Sequence, residues 1–232
     1  MRGILEHLFA ELPPAETDLV AATLKTCRRI DVDPGEPYFR GSFRDAALLA
    51  VEDGFVVVRA TPPGRLRSII TCDGGPGRLV LPPSPHEVLF GLSPSHVVAI
   101  PSEAVDRLLA VPAAAQVLLE QLAAALGQKQ EAIGNFANTR HIDRVRRKLL
   151  QLGRTYGRVS REGVRIDFPV SHIVLAEMIG SSRETVTRAL EELQRRGFVE
   201  RSGHTYRLLV SPEFLLGAAE ATTGVTEITP SG

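Results

Sequence analysis

The 232-residue sequence predicts an α+β protein in three parts: an antiparallel β-roll, then a long helix, then a group of helices closed by a β-hairpin. Three observations predict it. First, six short runs of strand-type residues, CRRIDV, EPYFR, AALLAV, FVVVRAT, LRSIIT and HVVAIP, are spaced by the turn signals PGE, EDGF, TPPG and CDGGPG, the rhythm of an antiparallel roll or barrel. Second, apolar residues recur at helical spacing from Leu118 to Phe136. Third, the net charge of zero hides a split: residues 1–137 carry 12 basic and 16 acidic side chains, residues 138–210 carry 15 and 8, and the remainder 0 and 3. A basic block joined to an acidic one suggests a polyanion-binding module, although a solvated basic surface has the same composition.

Taken in order, LEHLFAELPPAETDLVAATL reads as helical pieces ahead of the first strand. Glu6 and His7 precede any apolar run, and no run approaches about 18 residues, so neither a signal peptide nor a membrane span is expected and the chain is placed in the cytoplasm. Cys27 and Cys72, 45 positions apart, fit no paired metal-ligand spacing and read as buried apolar residues; no metal is expected. The strand runs fit a generic jelly roll as well as any more particular roll. In the long helix Pro112 suits the first turn, and Leu118, Leu122, Leu126, Ile133 and Phe136 form a stripe for a partner's identical helix or for the chain's own roll. Gly127 to Glu131, polar apart from the glycine, interrupts that stripe and predicts a weak point. Asn138-Thr139 reads as cap and hinge before a second helix, with Ile142, Val145, Leu149 and Leu152 inward and Arg144, Arg146, Arg147 and Lys148 toward solvent.

The stretch IGSSRETVTRALEELQRRG, residues 179–197, carries the chemistry. Ser181 or Ser182 can cap a helix here, and Ser181 with Glu184 has the capping-box spacing. At about 100° per residue, Arg183, Glu184, Thr187 and Arg188 share one side while Val186, Ala189, Leu190 and Leu193 gather opposite. SHIVLAEMIG, just before, reads as a shorter helix, which makes a helix-turn-helix with the polar face outward. Arginine grips guanine O6 and N7, glutamate accepts from cytosine N4, and a threonine methyl meets thymine, so these four residues suit base reading in a major groove. FVERSGHTYRLLV follows as two strand-like runs around Ser202-Gly203, a wing whose Arg201, His204 and Arg207 are available to phosphates. Ser171, opening the shorter helix, can offer its amide to a phosphate.

GSSRETVTRALEELQRRGFVERSG resembles the helix-turn-helix and wing of the bacterial cyclic-AMP receptor protein and fumarate-nitrate regulator (CRP/FNR) family, SRETVTR being the most specific part. The resemblance is dense from Arg140 to Leu216. It implies base-reading roles for Arg183, Glu184 and Arg188, and places Ser182 and Thr185 near the DNA backbone. Where this family's first helix offers polar residues soon after its cap, the chain has Ile173 and Val174, which are either covered by a neighbouring element or meet a partner. The N-terminal half resembles the same family's cyclic-nucleotide-binding-like β-roll, less specifically.

The resemblance sets up one mismatch. Cyclic-nucleotide-binding relatives supply a glutamate and an Arg-Ser or Arg-Thr pair after the glycine-rich turn, whereas GPGRLVLPPSPHEVLFGLSPSHVVAIP has only Arg78 and prolines at 82, 83 and 85. Ordinary cyclic-AMP binding is therefore not expected, and an effector, if one exists, is unidentified. The cysteine cluster of iron-sulfur members is missing, and His86 and His96 read as ordinary histidines. No GxxxxGK[ST], HExxH or GxSxG occurs, so no enzyme is expected. The sequence thus reads as a dimeric transcription regulator: a sensor over residues 1–110, a dimerisation helix over 111–137, a winged helix-turn-helix over 138–216 and a mobile tail over 217–232. Its expected partners are an inverted-repeat duplex, a second copy of itself and, by the resemblance, RNA polymerase. Two other readings stay open, a ligand-independent regulator and a winged helix turned protein-interaction module with Ile173 and Val174 as its patch.

Overall fold

The computed structural model describes residues 2–61, 67–134, 140–211 and 215. Two helices, α1 (Arg2–His7) and α2 (Pro14–Lys25), lead into β1 (Arg28–Val32), β2 (Leu48–Asp53), β3 (Val56–Ala60), β4 (Ile69–Gly74), β5 (Leu79–Val80), β6 (Glu87–Gly91) and β7 (Ser95–Ile100). These make two antiparallel sheets, ordered β1-β7-β2-β5 and β4-β3-β6. Side-chain alternation explains the apolar runs. Leu49 and Val51 of β2 face the second sheet with Val56, Val58, Leu89 and Val97, whereas Leu48 and Ala50 face outward under Ile4, Phe9, Val20 and Leu24. A strand buried on both faces loses its alternating pattern, as FVVVRAT does.

Two strand expectations need correction. EPYFR is no strand: Tyr38 makes a single antiparallel bridge to Leu89, and Arg40–Phe43 turns as a 3-10 helix that drops Phe43 into the core. Pro37 has no amide to give a ladder. The proline-rich stretch after Gly77 instead supplies β5 and β6, with β6 paired along all of β3.

Helix α3 (Ser102–Leu109) is followed by α4 (Pro112–Gly134), α5 (His141–Tyr156), the hairpin β8 (Arg158–Ser160) and β9 (Gly163–Ile166), α6 (His172–Ile179), α7 (Arg183–Arg195), and the hairpin β10 (Val199–Ser202) and β11 (Thr205–Leu208). The last four strands form one sheet, β10-β11-β9-β8. The β8–β9 hairpin had no clear signal in the sequence. The wing turn sits at Gly203-His204, one residue later than read, because Ser202 pairs with Thr205 and Gly203 takes a left-handed φ of 59°.

The C-terminal part packs on the outer face of β4-β3-β6. Phe55 and Phe168 stack with centroids 3.7 Å apart, and Tyr156 meets Phe55 edge-on. Tyr156 lies so close to Gly75 that an added Cβ would come within 2.9 Å of its ring. Polar groups tie the same seam. Asp73 on β4, 3 % exposed, accepts from Lys148 Nζ at 2.6 Å and Tyr156 Oη at 3.0 Å, and Arg59 on β3 pairs with Glu177 on α6 at 2.9 Å. Lys148 and Arg144 therefore do not face solvent. Arg144 is buried and donates to the Ile179 carbonyl, tying α5 to the end of α6.

The polar interruption of α4 has a partner too. Gln128 Oε1 accepts from the Asp73 amide at 3.0 Å and the Cys72 thiol at 3.1 Å, and Lys129 donates to both oxygens of Glu87 at 2.8 and 2.9 Å. What reads as a weak point is where α4 is fastened to the roll.

Candidate nucleic-acid interface

The turn between α6 and α7 is built by its caps. Gly180 adopts φ 62°, ψ 45° to close α6, and Ser182, not Ser181, caps α7, accepting from the Thr185 amide at 3.1 Å. Ser181 turns instead to His141 at 3.1 Å, so the Ser181–Glu184 capping box does not form. With α7 begun at Arg183, the residues Val186, Ala189, Leu190 and Leu193 are buried while Arg183, Glu184 and Arg188 are exposed on the same helix. The Glu184 amide and the Ser182 hydroxyl hold the Glu184 carboxyl below the usual range, with Arg67 and Arg183 adding to it. It is an ionised acceptor flanked by cations at neutral pH.

Thr187 is placed differently from its neighbours. It is half-buried, and its hydroxyl is occupied by the Arg183 carbonyl at 2.9 Å and by His172 Nδ1 at 2.8 Å. Its methyl, not its hydroxyl, is what remains for a base edge. Ser171 caps α6, accepting from the Val174 amide at 3.2 Å. Thr185 Oγ1 lies 2.9 Å from Ser182 Oγ. On the wing, Arg201 and His204 are exposed, Arg201 donating to the Gly203 carbonyl at 2.6 Å. Arg207 is drawn instead to Glu162 at 2.6 Å and Glu200 at 3.5 Å on the outer face of the sheet. The residue that sequence reasoning missed is His172; its only signal was its place directly after the cap.

Ile173 and Val174 part company. Val174, 9 % exposed, joins the core, while Ile173, 52 % exposed, borders a shallow groove with Arg67, Ser68, Glu177 and Ser182. The roll thus reaches the N-terminal end of α7.

The long helix divides the residues assigned to its stripe. Leu118 is 1 % exposed among Val98, Leu108 and the α1–α2 residues, and Leu122 leans on the same cluster. Leu118 is thereby covered by its own roll and has no surface for a partner. Leu126 is 53 % exposed and Leu119, one heptad earlier, 64 %. The side chain of Ile133 and all of Phe136 lie outside the described residues, as do Asn138-Thr139 and residues 217–232. Cys27 and Cys72 are both buried and unbridged, and burial pushes the Cys72 thiol up to about 12. Among the described residues no helix is long and apolar enough to cross a membrane, and no cluster of His, Cys, Asp and Glu forms a metal site.

Residues 143–215 match the Crp-like helix-turn-helix domain. A global nitrogen regulator of Synechococcus elongatus is 36 % identical over 110 residues, 47 % of this chain and 49 % of that protein. The chain spans about half the length of the nitrogen regulators it matches. A CRP-like cAMP-activated global transcriptional regulator of Mycobacterium tuberculosis is 25 % identical over 195 residues, covering 81 % of this chain and 87 % of that one. A solved CRP/FNR-family transcriptional regulator of Thermus thermophilus superposes with a TM-score of 0.58 at 20 % identity, over 83 % of this chain and 98 % of that one. The resemblance carried by SRETVTR is borne out: relatives in sequence and neighbours in structure are CRP/FNR-type regulators. The fold is likewise the one expected, an antiparallel roll followed by helices and a helix-turn-helix.

Proposed function

We propose, from the premise that residues 143–215 form a Crp-like helix-turn-helix domain, that this protein is a sequence-specific DNA-binding transcription regulator acting as a homodimer on an inverted repeat. One observation carries it: Arg183, Glu184 and Arg188 stand exposed together on the first two turns of a helix whose opposite face is buried. Those side chains offer two bidentate donors and an acceptor to base edges, and Thr187 adds a methyl. The amides behind the Ser171 and Ser182 caps, with Thr185, Arg201 and His204, take the phosphates. A two-fold pair would place its recognition helices in successive major grooves about 34 Å apart.

The dimer face we assign to α4 runs through Leu119 and Leu126, with Leu122 at its edge, since Leu118 is used within the protomer. The sensor differs from a cyclic-AMP site in our reading. The seam between β4, β6 and α4 carries the Gln128–Asp73 and Lys129–Glu87–Thr71 contacts, none of which presents an arginine to a nucleotide phosphate. A cytoplasmic regulator without enzymatic activity, meeting RNA polymerase at its promoters, completes the proposal. Selection of bound sites from a random duplex pool tests it. An inverted repeat with half-sites one helical turn apart is expected; a pool that stays random after repeated rounds at moderate salt refutes the reading.

A further inference from the structure

His172 is joined to the recognition helix through Thr187, its Nδ1 lying 2.8 Å from the Thr187 Oγ1. The threonine hydroxyl has one hydrogen, and the Arg183 carbonyl four residues back, at 2.9 Å, takes it. Nδ1 must then be the donor, which leaves Nε2 of the neutral ring as a bare acceptor. That nitrogen is buried and has no hydrogen-bond partner among the described residues. Charged groups face the ring from both elements packed against it: Arg183 and Glu191 from α7, Arg201 and His204 from the wing. The wing is held there by a 2.8 Å bond from the Val170 amide to the His204 carbonyl. Burial first, then Arg201, Arg183 and His204, push the His172 pKa below its usual value, and Glu191 offsets them only in part.

A protonated ring in this setting lacks an acceptor for its second N–H and is repelled by two guanidinium groups. A phosphate held by Arg201 removes the second objection, because its negative charge offsets the guanidinium repulsion; Nε2 is buried, so the phosphate acts through its charge and not as a hydrogen-bond acceptor. We propose that His172 is a positioning residue of the DNA interface: it holds the first turn of α7 through Thr187 and takes up one solvent proton, on Nε2, when a duplex phosphate docks at Arg201. No covalent bond changes other than that N–H. The inference rests on the DNA-binding reading above and adds a linked proton to it. The sign follows directly. The bound state carries more protons, so affinity rises as pH falls below the bound-state pKa and levels off below the free-state pKa, which lies under 6.5.

The test uses the full-length protein and a duplex selected from a random pool at pH 7, with binding followed by fluorescence anisotropy at pH 6 and pH 8 at constant ionic strength. In the native protein the affinity at pH 6 is expected to exceed that at pH 8 by roughly three- to tenfold per protomer, since one linked proton changes log K by at most one per pH unit. His172→Asn keeps an N–H for Thr187 and does not titrate, so its ratio should fall toward one, while His86→Gln, an exposed histidine of the roll, should keep the native ratio. Proton NMR provides a second measurement, independent of variants: the His172 ring midpoint should rise when the duplex is added. An unchanged ratio in His172→Asn, or a ring midpoint the duplex does not move, overturns the proposal. A protein that selects no duplex at either pH fails at the earlier step, refuting the DNA reading and this inference with it.

Discussion

Asp73 of the β-roll and Lys148 of the helix-turn-helix part lie 2.6 Å apart, joining two segments 75 positions distant in sequence through a carboxylate that is 3 % exposed. Removing one partner of such a pair strands the other charge away from water. Lys148→Met should cost about 3–5 kcal/mol of stability, read as a lowered urea midpoint. A loss under about 1 kcal/mol would show that water, not Lys148, balances Asp73.

Arg183→Ala and Arg188→Ala should each weaken operator binding by about 1–3 kcal/mol and relax preference at one base pair per half-site. Arg201→Ala should weaken all sequences alike and flatten the salt dependence. Competition titrations against single-base variants separate the two behaviours. Uniform weakening by Arg183→Ala would reassign it to the backbone.

The two faces of α4 should respond differently. Leu119→Glu together with Leu126→Glu, on the exposed side, is expected to give a folded monomer in sedimentation. Leu118→Ala, inside the protomer, should instead lower stability by about 2–5 kcal/mol and leave association intact. A double variant that still sediments as a dimer would move the interface elsewhere.

Cys72 supplies a test in pH. Its thiol is pushed up from 9.0 to about 12 by burial, so the folded state keeps a proton that the unfolded state loses. The stability linked to this group is fully present below pH 9 and is lost as pH rises from there toward 12. Native protein should lose more of its urea midpoint between pH 8 and 9.5 than Cys72→Ala does. Iodoacetamide at pH 8 should label Cys72 only after denaturant is added. Rapid labelling of the native state would contradict its burial.

Much of the candidate site was legible in the chain. The spacing of Arg183, Glu184 and Arg188 against Val186, Leu190 and Leu193 decides which face of α7 is wet, because helical period and solvent preference suffice for that. The roll was legible from its turns, apart from Tyr38, whose neighbouring proline stops a ladder, and β6, hidden among prolines. The cap could be narrowed only to Ser181 or Ser182.

What the sequence by itself determined is therefore local: the helical periods, the turns, the charge split and the residues offered to a groove. Tertiary structure alone decided which polar residues would be spent inside the protein. Arg144, Lys148, Gln128 and Lys129 look like solvent-facing residues in a one-dimensional pattern, yet each meets an acceptor or donor from a distant segment. His172 likewise has meaning only beside Thr187 and the wing. The physical reason is that periodicity reports how a side chain points relative to its own backbone, whereas burial and pairing depend on what the fold brings opposite.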